Sequence, residues 1–542
     1  MKEFVLKHKK IFFIMMIIVG VYLLYFHNIW MYKLLDVDET RYVNMSSTMF
    51  HDKEFMTLYL NGKFFFEKPP LYFWIENLFF GLFGGVSEGV ARIPIGLQSL
   101  FAALAVYFAG AKVVSKKFGL IVACILGTSL EFIVMSKIAI LDMLLTSCIT
   151  ISVFSGFMTY FVQEQNKKYF WWLFYIFSGL AVMAKGIPGV VVPFGVMFFV
   201  GLYAKNLKEF FKPKYFGLGT LLFLLIVLPW HIAMLHIHGK LFFDEYIIKH
   251  HLLRFIGSDV IHRERPFLFY IPILAWGFFP WVFSFVSMLV EKCRGFRYRA
   301  YETLENKDRF VALSIIGALF TMLFFSVSGT KLVTYILPVY PFLAVILANY
   351  WCEDGCSKIF KIFSQVLNSI LILVGFEILI AKSYLPLDLY NTVSELKFVG
   401  MSLCLVAGGL GVMFAKKGKK LKLFTVYTVL MVLLSAFGTH HFFNINSKFG
   451  QNDLIEYAQI AKAQNKKIVG YKTGKKYSLI YYSGAKKVLF LGEDDEYLVP
   501  QYLNNKSNLV IIKNKDFKKL KFKYTVVKKG VKYSIVTSRD AE

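Results

Sequence analysis

The chain has 542 residues, 57% of them hydrophobic, with a mean hydropathy of +0.54. A water-soluble globular protein of this size does not carry so much apolar surface. A net charge of +27 would suit nucleic-acid binding, but the lysines and arginines gather in short loops between apolar runs, with no nucleic-acid-binding motif beside them.

Apolar runs near 20 residues recur, the length that crosses a bilayer as helix. The N-terminal stretch MKEFVLKHKKIFFIMMIIVGVYLLYF resembles a signal peptide, yet its apolar part is too long and no A-x-A-like site follows. It reads as an uncleaved first span at about 11–31, with Lys2, Lys7, Lys9 and Lys10 in the cytoplasm. Further spans are expected at about 89–111, 118–136, 139–162, 169–186, 187–204, 216–235, 267–289, 310–328, 335–350, 362–382, 397–415 and 423–441. This gives a multi-pass α-helical membrane protein of about 13 spans. Alternate loops are basic, among them Lys112/Lys116/Lys117, Lys167/Lys168 and Lys416/Lys417/Lys419/Lys420. The positive-inside rule puts them in the cytoplasm and the C-terminal segment on the outer face.

The first long outer loop, about 32–88, opens with LLDVDETRYVNMSSTMF. Asp38, Arg41 and Tyr42 share one face of a helix, with Asp38 and Glu39 in its first turn. They form either a plain interfacial helix with an internal ion pair or a carboxylate poised at the membrane surface as base or electrostatic partner. LNGKFFFEKPPLYFW follows. Pro69 and Pro70 disfavour helix at Lys68 and force an extended turn. The stretch is either an aromatic belt with a snorkelling lysine or a rigid mount for Glu67 and Lys68, with Lys68 facing a phosphate. MSKIAILDMLLT then places Lys137 and Asp142 at the outer ends of two spans, where an acid is a functional candidate. Lys185 closes a short outer turn in VMAKGIPG.

The second long outer loop, about 236–266, carries YIIKHHLLRFIGSDVIHRERPFLFY. His250, His251, Arg254, His262, Arg263 and Arg265 suit an anionic headgroup or pyrophosphate, or simply an anionic lipid surface. No H-x3-H or H-E-x2-H pattern supports a metal there. SVSGTKLVTYILPVYP puts Lys331 and Tyr335 at another outer edge.

From about residue 446 the composition changes. DLIEYAQIAKAQ has helical spacing, KKIVGY, YSLIYY, KKVLFL and NLVIIK read as strands, and YTVVKKGVKYSIVTS reads as a hairpin about Lys529-Gly530. Residues 446–542 are therefore expected to form a small soluble α/β domain after a transmembrane domain at 1–445. The six cysteines fall in spans or cytoplasmic loops, which argues against a disulfide framework. Cys352 and Cys356 have a C-x3-C spacing without further ligands nearby.

The motifs DETRY, LNGKFFFEKPPLYFW, ARIP, AKGIPG, HHLLRF and GTKLVTYILPVYP, in order from about 11 to 350, resemble the bacterial aminoarabinose transferases of lipid A. That family belongs with the protein O-mannosyltransferases in the GT-C class of membrane glycosyltransferases. The resemblance implies transfer of a sugar from undecaprenyl phosphate, with inversion, to an acceptor on the periplasmic face of the inner membrane. It implies Asp38 as the essential loop aspartate, Lys68 as the lysine on the lipid phosphate, and Asp142 as an acid at the catalytic cavity. Arg41, Tyr42 and Tyr335 would line the donor site, with Arg254 and Lys331 as further substrate-binding cations. Glu67 and His251 match a pair that can hold a zinc or other divalent ion. Phe65 stands where relatives carry a tyrosine, so no phenolic hydroxyl is available there. Lipid A is the favoured acceptor, the protein is expected to act as a monomer, and no nucleic acid is involved. A protein O-mannosyltransferase-like enzyme, a lipid-linked sugar transporter, and a scaffold working through its end domain are the alternatives.

Overall fold

The computed structural model describes residues 9–210, 212–253, 265–293, 300–380, 387–448 and 450–538. Most of them form a helical bundle. Among the described residues seven helices are long and apolar enough to cross a membrane, from Glu88–Val113 and Pro213–His250 to Lys420–Thr439. Four shorter apolar helices, including Asp142–Met158 and Pro188–Tyr203, pack among them. Leu225, Ile232, Leu319 and Leu373 are exposed on the outside of the bundle. Such residues would drive aggregation in water but face hydrocarbon in a bilayer.

Two expected spans are broken, each for a local reason. The stretch at 118–136 is two helices, Lys116–Gly127 and Leu130–Met135. The hydroxyls of Thr128 and Ser129 donate back to the carbonyls of Cys124 and Ile125, at 2.5 and 2.7 Å. The amide of Leu130 donates across to Phe279. The Ser129 amide turns to the Leu126 carbonyl, which leaves the Ile125 carbonyl to the Ser129 hydroxyl, and the helix ends there. The stretch at 267–289 is a bent pair, Phe267–Gly277 and Val282–Lys292, turned by 117°. Pro280 lies in the break and has no amide to donate. The expected boundary between 169–186 and 187–204 is present: Gly186, φ 80°, ends the helix Glu164–Lys185, and Pro188 begins the next.

The first long loop is ordered. Its helix Asp38–Asp52 ends at Lys53, φ 58°. A two-residue hairpin pairs β1 (Tyr59–Leu60) with β2 (Lys63–Phe64), and a second helix starts at Leu71 directly after Pro70. Prolines at a helix start lose nothing, since the first amides have no partner within the helix.

The C-terminal part holds a five-stranded sheet of β3 (Lys467–Tyr471), β4 (Leu489–Leu491), β5 (Asn508–Lys513), β6 (Thr525–Lys529) and β7 (Tyr533–Thr537). Their order is β4-β3-β5-β7-β6, with β3 parallel to both its neighbours and β7 antiparallel to both of its own. The β6–β7 hairpin turns at Lys529-Gly530 as its sequence suggests. The carboxylate of Asp453 holds that turn by accepting from the amides of Val531, Lys532 and Tyr533. YSLIYY is a correction: it forms the helix Ser478–Ser483, not a strand. Gly484, φ 70°, caps it in the left-handed conformation.

This sheet unit docks on the first long loop. Asp36 accepts from the amide of Ser478 at 3.0 Å and from its hydroxyl at 2.5 Å. The side chain of Asn61, at the tip of the β1–β2 hairpin, exchanges two hydrogen bonds with the backbone of Val488, at 3.0 and 2.8 Å. Leu60 packs into the apolar cluster of Leu454, Tyr477 and Ile480.

Candidate active site

Adjacent acids in the first turn of Asp38–Asp52 go to different places, because one residue step turns a helix by about 100°. Asp38 keeps a 51% exposed side chain and pairs with Arg41 at 2.8 Å. Glu39 points inward and is fully buried. Its two oxygens take the guanidinium of Arg92 at 2.8 and 3.1 Å and the amides of Leu35 and Ala139 at 2.7 and 2.9 Å. Arg92 spends its other donors on the carbonyls of Ile29, Tyr32 and Lys33. A buried ion pair is tolerated when its hydrogen bonds are satisfied in this way. The pair fixes the loop that presents Asp38.

Arg41 also donates to the hydroxyl of Tyr42 at 3.0 Å. Burial works against its charge, but Tyr42, Asp38 and Glu67 outweigh that, so the guanidinium is held above its usual pKa. Tyr42 is pushed up chiefly by burial and stays a phenol.

Asp38, Arg41, Tyr42, Glu67, Lys68, Asp142 and Tyr335 all line one cavity of about 1150 Å³. Residues from the first loop, three helix ends and the second loop thus converge on one cavity. The cavity has a buried floor and an open rim. On the floor Lys68 and Lys185 are each 8% exposed and Asp142 is 7% exposed. Lys185 donates to Asp142, and its ammonium lies 3.8 Å from the centre of the Tyr335 ring. A smaller pocket of about 80 Å³ shares Lys68, Lys185, His250 and Tyr335 and runs on to Ile187, Pro188, Phe324 and Phe325. The polar floor therefore continues into an apolar slot. From the second loop His250, Glu245 and Lys249 reach the cavity, and Glu245 pairs with Lys249 at 2.9 Å.

Three expected residues stand elsewhere. Lys331 gives its ammonium to the carbonyls of Ser328 and Arg265, at 2.7 and 3.1 Å, and does not line the cavity. Lys137 is buried against the carbonyls of Leu23 and Ser435 and the hydroxyl of Thr439. Arg265 lies beside the Phe269 ring. Arg254, His262 and Arg263, and the side chain of His251, lie outside the described residues. Among the described residues no three His, Cys, Asp or Glu side chains cluster to hold a metal. Glu67 lies within electrostatic reach of Arg41. The sequence reading missed the clamp of Glu39 with Arg92 and the pairing of Lys185 with Asp142. An arginine inside an apolar span was the signal for the first.

The chain's residues 10–246 match the family model of dolichyl-phosphate-mannose-protein mannosyltransferases. A protein of Aquifex aeolicus is 29% identical over 422 residues, covering 78% of this chain and 77% of its own. An undecaprenyl phosphate-α-4-amino-4-deoxy-L-arabinose arabinosyl transferase of Sodalis glossinidius is 30% identical over 60% of this chain. Its counterpart in Pectobacterium atrosepticum is 28% identical over 61%. The alignment spans 56% of the length of each of these two transferases. In fold, the chain matches the crystal structure of ArnT from Cupriavidus metallidurans bound to undecaprenyl phosphate, with a TM-score of 0.80, 17% identity and 98% of both chains covered. The archaeal oligosaccharyltransferase AglB of Archaeoglobus fulgidus is a more distant match, at a TM-score of 0.52. With its helical bundle and small C-terminal sheet unit the chain shares the fold of the ArnT structure, and in sequence it is similar to the ArnT-like membrane glycosyltransferases of GT-C architecture.

Proposed function

We propose that this protein moves a sugar from undecaprenyl phosphate to lipid A at the periplasmic face of the bacterial inner membrane. The observation that carries this is the shape of the cavity: buried cations on its floor, an apolar slot leading away, and a carboxylate at its rim. A polyprenyl phosphate has the matching parts, an anionic head and an apolar tail. The names of the aminoarabinose transferases supply the donor class, and the family resemblance of the loop motifs supports lipid A as the acceptor.

Charge supports the periplasmic face. The helix Glu88–Val113 begins beside the Glu39–Arg92 clamp and ends next to Lys112, Lys116 and Lys117. Its 26 residues span roughly 39 Å at 1.5 Å per residue, enough to cross the hydrocarbon. The basic end belongs in the cytoplasm, so the cavity opens opposite it.

In the reaction, the bond between the anomeric carbon and the donor phosphate oxygen breaks, and its electron pair leaves on the phosphate. Lys68, with Arg41 and Lys185 beside it, stabilises that charge. An acceptor oxygen bonds the anomeric carbon from the opposite side and inverts it. A hydroxyl acceptor gives its proton to Asp38, whereas an ionised lipid A phosphate needs no base and Asp38 then orients groups.

Purified protein in detergent, given an undecaprenyl-phosphate aminosugar and lipid A, should form sugar-modified lipid A. Donor carried across vesicles without turnover would favour a transporter. The family model's match to protein mannosyltransferases favours a second reading, a protein acceptor. Transfer to periplasmic protein with lipid A untouched would select it.

A further inference from the structure

We propose that the C-terminal sheet unit completes the acceptor side of the site, with Lys475 and Lys63 forming a rim subsite for the anionic group of a phosphorylated glycolipid. This rests on the glycosyltransferase reading above. Lys475 lines the main cavity although it lies more than 400 positions from Asp38 and Lys68 in the chain. Both Lys475 and Lys63 are exposed, in contrast to the buried Lys68 and Lys185.

One interface places both lysines. Lys63 follows the hairpin tip where Asn61 is tied to Val488. Lys475 sits in the turn between β3 and the helix Ser478–Ser483, whose start is tied to Asp36. Gly474 in that turn has φ 69°. Tyr477, two residues on from Lys475, lies within electrostatic reach of Arg41, Glu67 and Asp38. The turn therefore meets the side of the cavity where Asp38 opens.

Charge and shape divide the two substrates. On the floor the apolar slot leads away from Lys68, Lys185 and Tyr335, which fits a donor with a lipid tail. The rim lysines stand apart from that slot and line only the larger cavity. An anion held there reaches the anomeric carbon from the side facing Asp38, as inversion requires. Lysine suits this role as a mobile point charge toward phosphate.

The test is steady-state kinetics of the full-length protein in detergent, with donor and lipid A varied separately. Lys475→Ala should raise the acceptor KM about tenfold and leave donor KM and kcat within twofold. Lys475→Arg should restore most of the acceptor KM, and Lys475→Glu should raise it further. Lys487→Ala, on the same unit but outside the cavity, should match wild type. High salt should raise the wild-type acceptor KM more than that of Lys475→Ala. An unchanged acceptor KM in Lys475→Ala and Lys475→Glu, or an equal rise in donor KM, overturns the proposal while wild-type transfer stands. Absence of wild-type transfer to lipid A would instead overturn the functional reading beneath it.

Discussion

Asp38 and Glu39 show how far single residues can be read. Asp38, Arg41, Tyr42 and Lys68 are legible because their spacing and the two prolines say which face or turn carries them. Glu39 looks equivalent to Asp38 in sequence, yet it is fully buried and tied to Arg92, 53 residues away. Pairing at that range has no local signature. The two acids should therefore fail differently. Arg92→Ala leaves a buried carboxylate without its partner, a loss of about 3–5 kcal/mol. Its yield of folded protein and its melting temperature in detergent should collapse. Asp38→Asn should fold and melt like wild type while losing activity. Equal melting of all three proteins would remove the clamp from this account.

At the scale of elements, broken spans were the least legible feature. Hydropathy registers Thr128, Ser129 and Pro280 as small dips, whereas the breaks come from specific donors and acceptors. The helix Leu71–Leu82 of the first long loop carries another hidden feature. Glu76 is fully buried and accepts from the hydroxyls of Ser46 and Tyr72. Burial outweighs those hydrogen bonds and pushes its carboxyl up to about 8. The folded protein thus holds a proton that the unfolded chain releases near 4.5. Between those values the folded state binds more protons, so stability falls as pH rises and levels off above about 8. Glu76→Gln should remove that slope. Thermal inactivation in detergent should show the variant equal to wild type near pH 5 and more resistant at pH 9. The same slope in both proteins would contradict it.

For the whole molecule, composition alone separates a membrane bundle from a polar α/β end, because apolar runs and strand alternation are local patterns. How the two meet is not local: Asp36–Ser478 and Asn61–Val488 each join residues more than 400 apart. The misread YSLIYY belongs to the same problem, since its helix is held partly by docking on Asp36. The exposed pair of Lys486 with Asp52, at 3.0 Å, contributes little to that docking. Asp36 accepts from Ser478 twice and from Thr40 at 2.6 Å, so Asp36→Ala should loosen the sheet unit. Limited proteolysis should then cut between bundle and sheet faster than in wild type, with Lys486→Ala unchanged.

The central claim is sugar transfer driven from the buried cations on the cavity floor. Its most direct measurement is the mass of lipid A from cells making the intact protein or Lys68→Ala in equal amounts. Loss of such a charge-stabilising donor lowers turnover roughly 10²–10³-fold. The account predicts lipid A heavier by one sugar with the intact protein and unmodified lipid A with Lys68→Ala. The same sugar addition in both, or none in either, would contradict it.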